Sequence, residues 1–404
     1  MSEATHPTTA RTRLALLTED VRARLTGNLG SLPVVVGLVL IWGVFQVLNP
    51  SFLSADNLVN LTLQCAAGGT IAIGVVLVLL LGQIDLSVGS VSGLAAAILG
   101  VGLTQFGWPL AVAILAAIAA GASVGLLYGV LFTRFGVPSF IITLAGLLGV
   151  LGLQLKVLGP NGSINLPADS ALVAFATSWF LPPWVAYLLS ALWAGGMFTA
   201  AVLRRRRRLR AGLTTTPLGW HAAKAGGLLV LCVIAVSYLA TNRGVGVMFV
   251  FFILLVIVMD VVLTRTRWGR EVYAVGGSVE AARRAGIRVD RVYISVFVLC
   301  SSFAVVGGLL AAGRLMSVNL NSGAGDTNLN AIAAAVIGGT SLFGGRGSAW
   351  SALLGIAVIQ SISNGLTLLN LDSSIRYMIT GCVLLLAVII DSLSRRARAA
   401  HGQA

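Results

Sequence analysis

The stretch 264–291, TRTRWGREVYAVGGSVEAARRAGIRVDR, holds ten of the charged residues in a chain that has only 27 basic and 13 acidic ones. Long apolar runs bound it on both sides. The whole chain of 404 residues is 57% apolar and 10% charged, against about 25% charged in an ordinary soluble protein. Successive apolar runs of about 20 residues are long enough to cross a hydrocarbon layer about 30 Å thick. The fold class is therefore all-α, a polytopic helical membrane protein, and 264–291 is a polar loop between two of its spans.

Working outward from that loop gives twelve expected crossings, at 31–49, 58–82, 86–106, 109–132, 137–158, 183–203, 225–241, 247–264, 291–312, 329–345, 348–369 and 374–391. The pairs Gly338-Gly339 and Gly344-Gly345 mark 329–345 as a candidate broken or re-entrant segment. With the N-terminus inside, this order puts Arg134, Arg204–Arg208, the arginines of 265–291, Arg346 and Arg395–Arg398 on the cytoplasmic face. Only Arg243, Arg314 and Arg376 fall near the other face. Such asymmetry is what the positive-inside rule expects, and it places both termini in the cytoplasm. The resulting organisation is a cytoplasmic tail at 1–28, a transmembrane domain at 29–392 and a cytoplasmic tail at 393–404. Within the domain lie a basic cytoplasmic loop at 204–224 and a second cytoplasmic loop at 265–290. On the outer face 159–183 is the longest connection, and Ala171–Phe180 within it has room for a short interfacial helix.

The net charge of +14 does not point to nucleic acid, because the basic residues cluster at span ends instead of forming one surface. Arg204–Arg210 reads first as a topology anchor, with anionic lipid headgroups as a fitting contact. Cys65, Cys232, Cys300 and Cys382 lie singly in apolar segments, which suits small core residues better than disulfides or metal ligands. The three histidines are scattered. No catalytic constellation and no metal site is expected.

The membrane interior contains few polar groups. Asp85 interrupts the apolar sequence at Gly82-Gln83-Ile84-Asp85-Leu86-Ser87-Val88-Gly89. An acid there either caps a helix starting at Leu86 or, with Gln83, lines a polar passage. Asn57, Asn60 and Gln64 recur at helical spacing, as do Gln360, Asn364 and Thr367. Amides and hydroxyls suit an uncharged hydrophilic solute, and they equally serve as interhelical hydrogen-bond glue. Asn60, Gln64, Gln83, Asp85, Gln360 and Asn364 are the candidate path residues. Gly121, Gly125, Gly307 and Gly308 imply close backbone packing. The segments 80–90 and 336–348 both place a Gly-rich polar interruption before an apolar helix, as two related halves would.

The only lysines, Lys156 and Lys224, lie outside any phosphate-binding loop of the GxxxxGK[ST] type. Paired intramembrane acids and bases of the kind a proton relay uses are also missing. Uphill transport by this chain would draw its energy from a separate subunit, and 264–291 offers that subunit a contact. Ser278 can cap a short helix with Glu280 in its first turn. Ala281, Ala282 and Ala285 keep that helix slim, and Gly286 can end it. The rival transport reading is an ion-coupled secondary carrier using Asp85. A membrane enzyme or a scaffold is the reading outside transport.

Four stretches carry a resemblance: GQIDLSVGSVSG (82–93), TRWGREVYAVGGSVEAARRAGI (266–287), LNAIAAAVIGGTSLFGGRGS (329–348) and SNGLTLLNLDSSIRYMITGCVLLLAVIID (363–391). In order and spacing they resemble the inner-membrane permease subunits of bacterial ABC importers for ribose, xylose, galactose and related sugars. The resemblance implies a bacterial inner-membrane homodimer that forms the translocation path and has no enzymatic activity of its own. It implies two ABC ATPase subunits that hold ATP and Mg, and a periplasmic sugar-binding protein. It also implies that Ser278, Glu280, Ala281, Ala282, Arg283, Arg284 and Gly286 form the coupling helix that docks in the ATPase. An extra pair of crossings around Arg204–Arg210 departs from the usual member and resembles the D-xylose permeases, which makes xylose the preferred sugar.

Overall fold

A computed structural model describes residues 32–213 and 215–372 continuously, with isolated positions between 374 and 389. The described chain is built almost wholly of helices. In chain order they are α1 Leu32–Leu48, α2 Ala55–Leu80, α3 Val88–Thr104, α4 Leu110–Phe135, α5 Ser139–Leu158, α6 Ala171–Thr177, α7 Pro183–Arg210, α8 Leu218–Ala240, α9 Val247–Arg265, α10 Arg267–Gly277, α11 Val279–Arg284, α12 Val289–Leu315, α13 Thr327–Ile337 and α14 Ala349–Leu368. Eight of these described helices are long and apolar enough to cross a membrane, while α1, α3 and α13 are shorter apolar helices. Two three-residue strands, β1 Ser163–Asn165 and β2 Ser317–Asn319, pair antiparallel. The tails 1–28 and 393–404 and the twelfth expected crossing, 374–391, lie outside the continuously described residues.

Local sequence explains where the spans begin and end. α4, α5, α7 and α8 each start directly after a proline, whose fixed φ and missing N–H suit a helix start. The Ser54 hydroxyl caps α2 by accepting from the Asn57 N–H at 3.3 Å. Gly136, with φ 66°, stops α4 in a left-handed turn that other residues adopt at a cost.

α2 is the central element and is buried along nearly its whole length. α12 packs against α2, α3 and α4, and α14 closes over α1, α2 and α13. The expected glycine contacts are present. A Cβ on Gly307 would sit 2.8 Å from the Ala67 carbonyl, one on Gly125 would sit 2.5 Å from the Phe297 carbonyl, and one on Gly308 would overlap the Ser92 carbonyl. Close approach of backbones replaces side-chain bulk at these seams.

Two expected crossings, 86–106 and 329–345, are not continuous spans. After α2 ends at Leu80 the chain runs irregularly through 81–87, and α3 begins only at Val88. Asp85 in this irregular run lies beside Cys300, which at 1.5 Å per residue is about 16 Å along α12 from Val289. The run therefore climbs into the bundle before the helix starts. The second break is complementary and has two parts: 320–326 runs irregularly from β2 to α13, which covers only Thr327–Ile337, about 16 Å of rise, and 338–348 runs irregularly from α13 to α14. The two helix starts meet inside the bundle, where the Asn328 side chain donates to the Leu86 carbonyl and accepts from the Gly89 N–H. Glycine-rich polar sequence at each break cannot sustain helix, which is the physical reason for the interruption.

Two connections between expected spans are structured. The segment 204–224 is mostly helix, since α7 continues to Arg210 and α8 resumes at Leu218. Arginine is a good helix former and a favourable cation at a helix C-terminus. The segment 265–290 is likewise two helices, α10 and α11, joined at Ser278. The expected short helix at Ala171–Phe180 is α6. α7 and α8 pair with each other at the rim of the bundle, and of their residues only Ala186, Ala194, Ala225 and Val236 are buried.

The two polar stripes meet. Asn57 Nδ2 donates to Asn364 Oδ1 at 2.8 Å and Asn364 Nδ2 returns the bond at 2.9 Å, with both residues buried between α2 and α14. Asn364→Ala leaves the Asn57 amide short of a partner and should destabilise the protein by about 1–2 kcal/mol. The double change N57L/N364L removes both ends and should recover part of that loss. Thermal unfolding in detergent reads the difference.

Candidate functional site

α10 and α11 form a compact module on one face of the bundle, at the end where α2 finishes. Thr266 caps α10, its hydroxyl accepting from the Gly269 N–H at 3.1 Å. Gly269, Val272 and Val275 recur at helical spacing and are buried, while the opposite face is charged. Trp268 Nε1 donates to Ser295 Oγ at 2.8 Å and ties α10 to α12. Arg267 and Glu271 pair at 2.8 Å across one turn.

The far end of α10 touches both breaks. Gly276 lies so close to the Leu80 carbonyl that a Cβ there would overlap it, and the same Leu80 carbonyl accepts from the Gly345 N–H at 2.9 Å. Tyr273 Oη donates to the Gly347 carbonyl at 2.8 Å. Burial, and secondarily the Asp260 carboxylate, push the Tyr273 phenol up from its ordinary pKa, so it stays a donor. The Gly-rich interruptions 80–90 and 336–348 thus lie against each other and against α10.

α11 is a single short helix, Val279–Arg284. The Ser278 hydroxyl caps it by accepting from the Ala281 N–H at 3.3 Å, Glu280 sits in its first turn, and Gly286 ends it at φ 79°. Glu280 and Arg284 pair at 2.9 Å, both largely exposed, so this pair contributes little stability. Ser278, Glu280, Ala281, Arg283, Arg284 and Gly286 are exposed. Ala282 is buried against the bundle at 3% exposure, so it anchors α11 and presents nothing outward. The Ala281 and Ala285 side chains leave the outer face low between its arginines.

The candidate path residues do not form one site. Asp85 is buried at 1% exposure, and its Oδ1 accepts from both the N–H and the hydroxyl of Ser87 at 2.8 Å. Its Oδ2 faces the Cys300 thiol at 3.7 Å. Among the described residues no cation pairs with it. Asp85 does accept a backbone N–H, but at the residue preceding α3, which begins at Val88 and not at Leu86. Gln83 is half-buried, and its amide lies only 3.5 Å from the Leu81 carbonyl. Asn364 is held in the pair with Asn57. Asn60 accepts from Arg243 Nη2 at 2.8 Å, beside the Asp56–Arg243 ion pair at 3.3 Å, at the opposite end of α2 from α10. Gln64 and Gln360 are half-buried. Gln360 lies against Gly68 of α2, where a Cβ would be 3.2 Å from its Nε2, and Gln64 is one helical turn before Gly68.

Sequence reasoning missed Asn328, Gln154, Tyr273 and Gly276. Gln154 is fully buried and donates to the Ser322 carbonyl at 2.8 Å. Each of the four is a single residue with no repeating neighbour to mark it, and its partner lies far away in sequence. No group of three potential metal ligands occurs among the described residues.

A family described as branched-chain amino acid transport system / permease component matches residues 57–388. The xylose transport system permease protein XylH of Escherichia coli K12 is 34% identical over 350 residues, 86% of this chain and 87% of the relative. XylH of Haemophilus influenzae is 32% identical over 91% of this chain and 98% of its own. The ribose import permease protein RbsC of Bacillus subtilis is 30% identical over 93% of this chain and 97% of its own. No solved structure matches the chain.

The junction makes a sharp prediction. Gly276→Ala should destabilise the protein by about 1–3 kcal/mol through overpacking against the Leu80 carbonyl. Gly277→Ala, with nothing within 4 Å of the added carbon, should be close to neutral. Unfolding midpoints of the two variants in detergent provide the comparison.

Proposed function

This chain belongs to the permease family that its match and relatives define, as a non-enzymatic membrane subunit of an ABC-type sugar importer, and on that premise we propose how it works. α11 is the docking helix for a separate ABC ATPase subunit, and α10 carries its movement to the two breaks. The observation that supports this most is the backbone-to-backbone seat of Gly276 on Leu80 and Gly345. A helix whose outer face is Ala281 and Ala285 fits a groove, and Arg283 and Arg284 at its edge suit acidic groups on the partner. ATP and Mg would sit on that partner, since this chain lacks a phosphate-binding loop. By the charge distribution, α10 and α11 face the cytoplasm of a bacterium, with both termini on the same side.

The proposed path runs between two copies of the chain and carries a monosaccharide delivered by a periplasmic binding protein. Gln64 and Gln360 are its best-supported lining residues, because their amides are half-exposed and make no hydrogen bond among the described residues. Xylose is the favoured sugar. Two relatives are named xylose permeases, and the α7–α8 hairpin is the extra pair of crossings that resembles that group. Asp85 is poorly suited to ion coupling, since the carboxylate is enclosed and engaged with Ser87.

Ala281→Trp or Ala285→Trp should lower the ATPase stimulation produced by sugar-loaded binding protein by at least about tenfold in reconstituted complexes. Both variants should stay folded, because both positions are exposed. Wild-type stimulation in both would remove the docking role. Asp85→Asn keeps the acceptor for the Ser87 N–H, so vesicle uptake should persist within about threefold of wild type. Uptake that vanishes in Asp85→Asn, and in wild type when the proton gradient is collapsed regardless of ATP, would establish the ion-coupled carrier instead.

A further inference from the structure

α4 and α12 pack along a glycine seam in which Gly125 faces the Phe297 carbonyl and Gly129 faces the Ile294 backbone. One turn beyond Gly129 the seam opens. α4 stops at Phe135 because Gly136 turns left-handed, and α12 starts only at Val289. The opening is a cavity of about 470 Å³, within the size range of small-ligand sites. Thr133 and Arg134 of α4 line one wall, Arg283 of α11 a second, and Arg288, Asp290 and Arg291 at the start of α12 a third.

The charge in this cavity is unbalanced. Four arginines from three separate elements line it with one aspartate, and none of the four is in an ion pair among the described residues. Converging guanidinium groups match the tetrahedral oxygens of a phosphate and bind it through paired, charge-assisted hydrogen bonds. The cavity lies at the ends of two spans, beside apolar surface that is uncovered: Phe135 is 72% exposed and Leu127 is 54% exposed. A phosphate arriving on a lipid would therefore find room for its acyl chains along α4, whereas a free phosphate would leave that surface bare.

We propose that this cavity binds the headgroup phosphate of an anionic membrane lipid. Because Arg283 belongs to α11, the bound phosphate ties α11 to the ends of α4 and α12 and fixes its position on the face of the bundle. The site differs in kind from the arginine run at the end of α7, which comes from a single helix.

Native mass spectrometry of the full-length permease, titrated with phosphatidylglycerol and with phosphatidylcholine of the same acyl chains, tests the assignment. Phosphatidylglycerol should bind more tightly, and R134Q/R291Q should weaken it by at least about tenfold. R207Q/R208Q, in the α7 run, should change the affinity by less than about twofold. Wild-type affinity in R134Q/R291Q, or an equal loss in R207Q/R208Q, would overturn the site. Displacement of the lipid by inorganic phosphate of comparable affinity would show a free-anion site and overturn the lipid assignment. If R134Q/R291Q does not fold, the single variants R134Q and R134K serve: the glutamine should weaken binding and the lysine should retain most of it. Equal affinity of the two would contradict the proposal.

Discussion

Irregular backbone within a membrane domain has to find its hydrogen bonds inside the protein, and the rest of this structure depends on how that demand is met. Two crossings are interrupted, and each leaves N–H and C=O groups that no helix satisfies. A small set of polar side chains answers them. Asp85 takes the Ser87 N–H, Asn328 serves Leu86 and Gly89, and Gln154 reaches Ser322. The same requirement accounts for the unusual acid at position 85 without assigning it to a solute. Partners for buried backbone are costly to remove and hold the breaks in one geometry.

That rigidity gives α10 something firm to push against. Gly276, Leu80 and Gly345 meet through backbone atoms with no side chain between them, so a displacement of α10 has little slack to absorb it. Trp268 and Tyr273 add one hydrogen bond each to α12 and to the second break. α11 stands outward of this assembly, anchored by Ala282 and the partly buried Val279, with its other residues exposed. An exposed helix on a rigid seat is an arrangement through which work done on a partner can reach the interior of the bundle.

Much of this was legible in the sequence, and the reasons for success and failure are physical. Ser278, Glu280 and Gly286 carry local signals for a helix start and stop, so α11 could be placed to within a residue. The spans followed from apolar length alone. Where the sequence reading ran long, at 86–106 and 329–345, hydropathy sums over residues and does not register where backbone stops being helical. The glycine pairs marked the second break and the Gly-rich polar run 80–90 marked the first, but neither showed how far into its span the interruption reaches. Asn364 looked like a path residue because an amide on a helix face has the same pattern whether it meets solute or Asn57. Only the fold, which brings α2 against α14, separates the two. Gly276 was invisible for the same reason, since one glycine among 48 declares nothing about the carbonyl it meets.

The central claim is that α10, α11 and the two breaks move as one body when the partner ATPase closes. Spin labels at Arg267→Cys on α10, away from the proposed docking face, and Phe343→Cys in the second break, in a background with the native cysteines replaced, report on it directly. Pulsed electron spin resonance on the assembled transporter, with and without ATP, should give an unchanged 267–343 distance within each copy. The distance between the two copies' Arg267→Cys labels should change over the same cycle. An intramolecular 267–343 distance that shifts with ATP while the intermolecular one stays fixed would contradict the account.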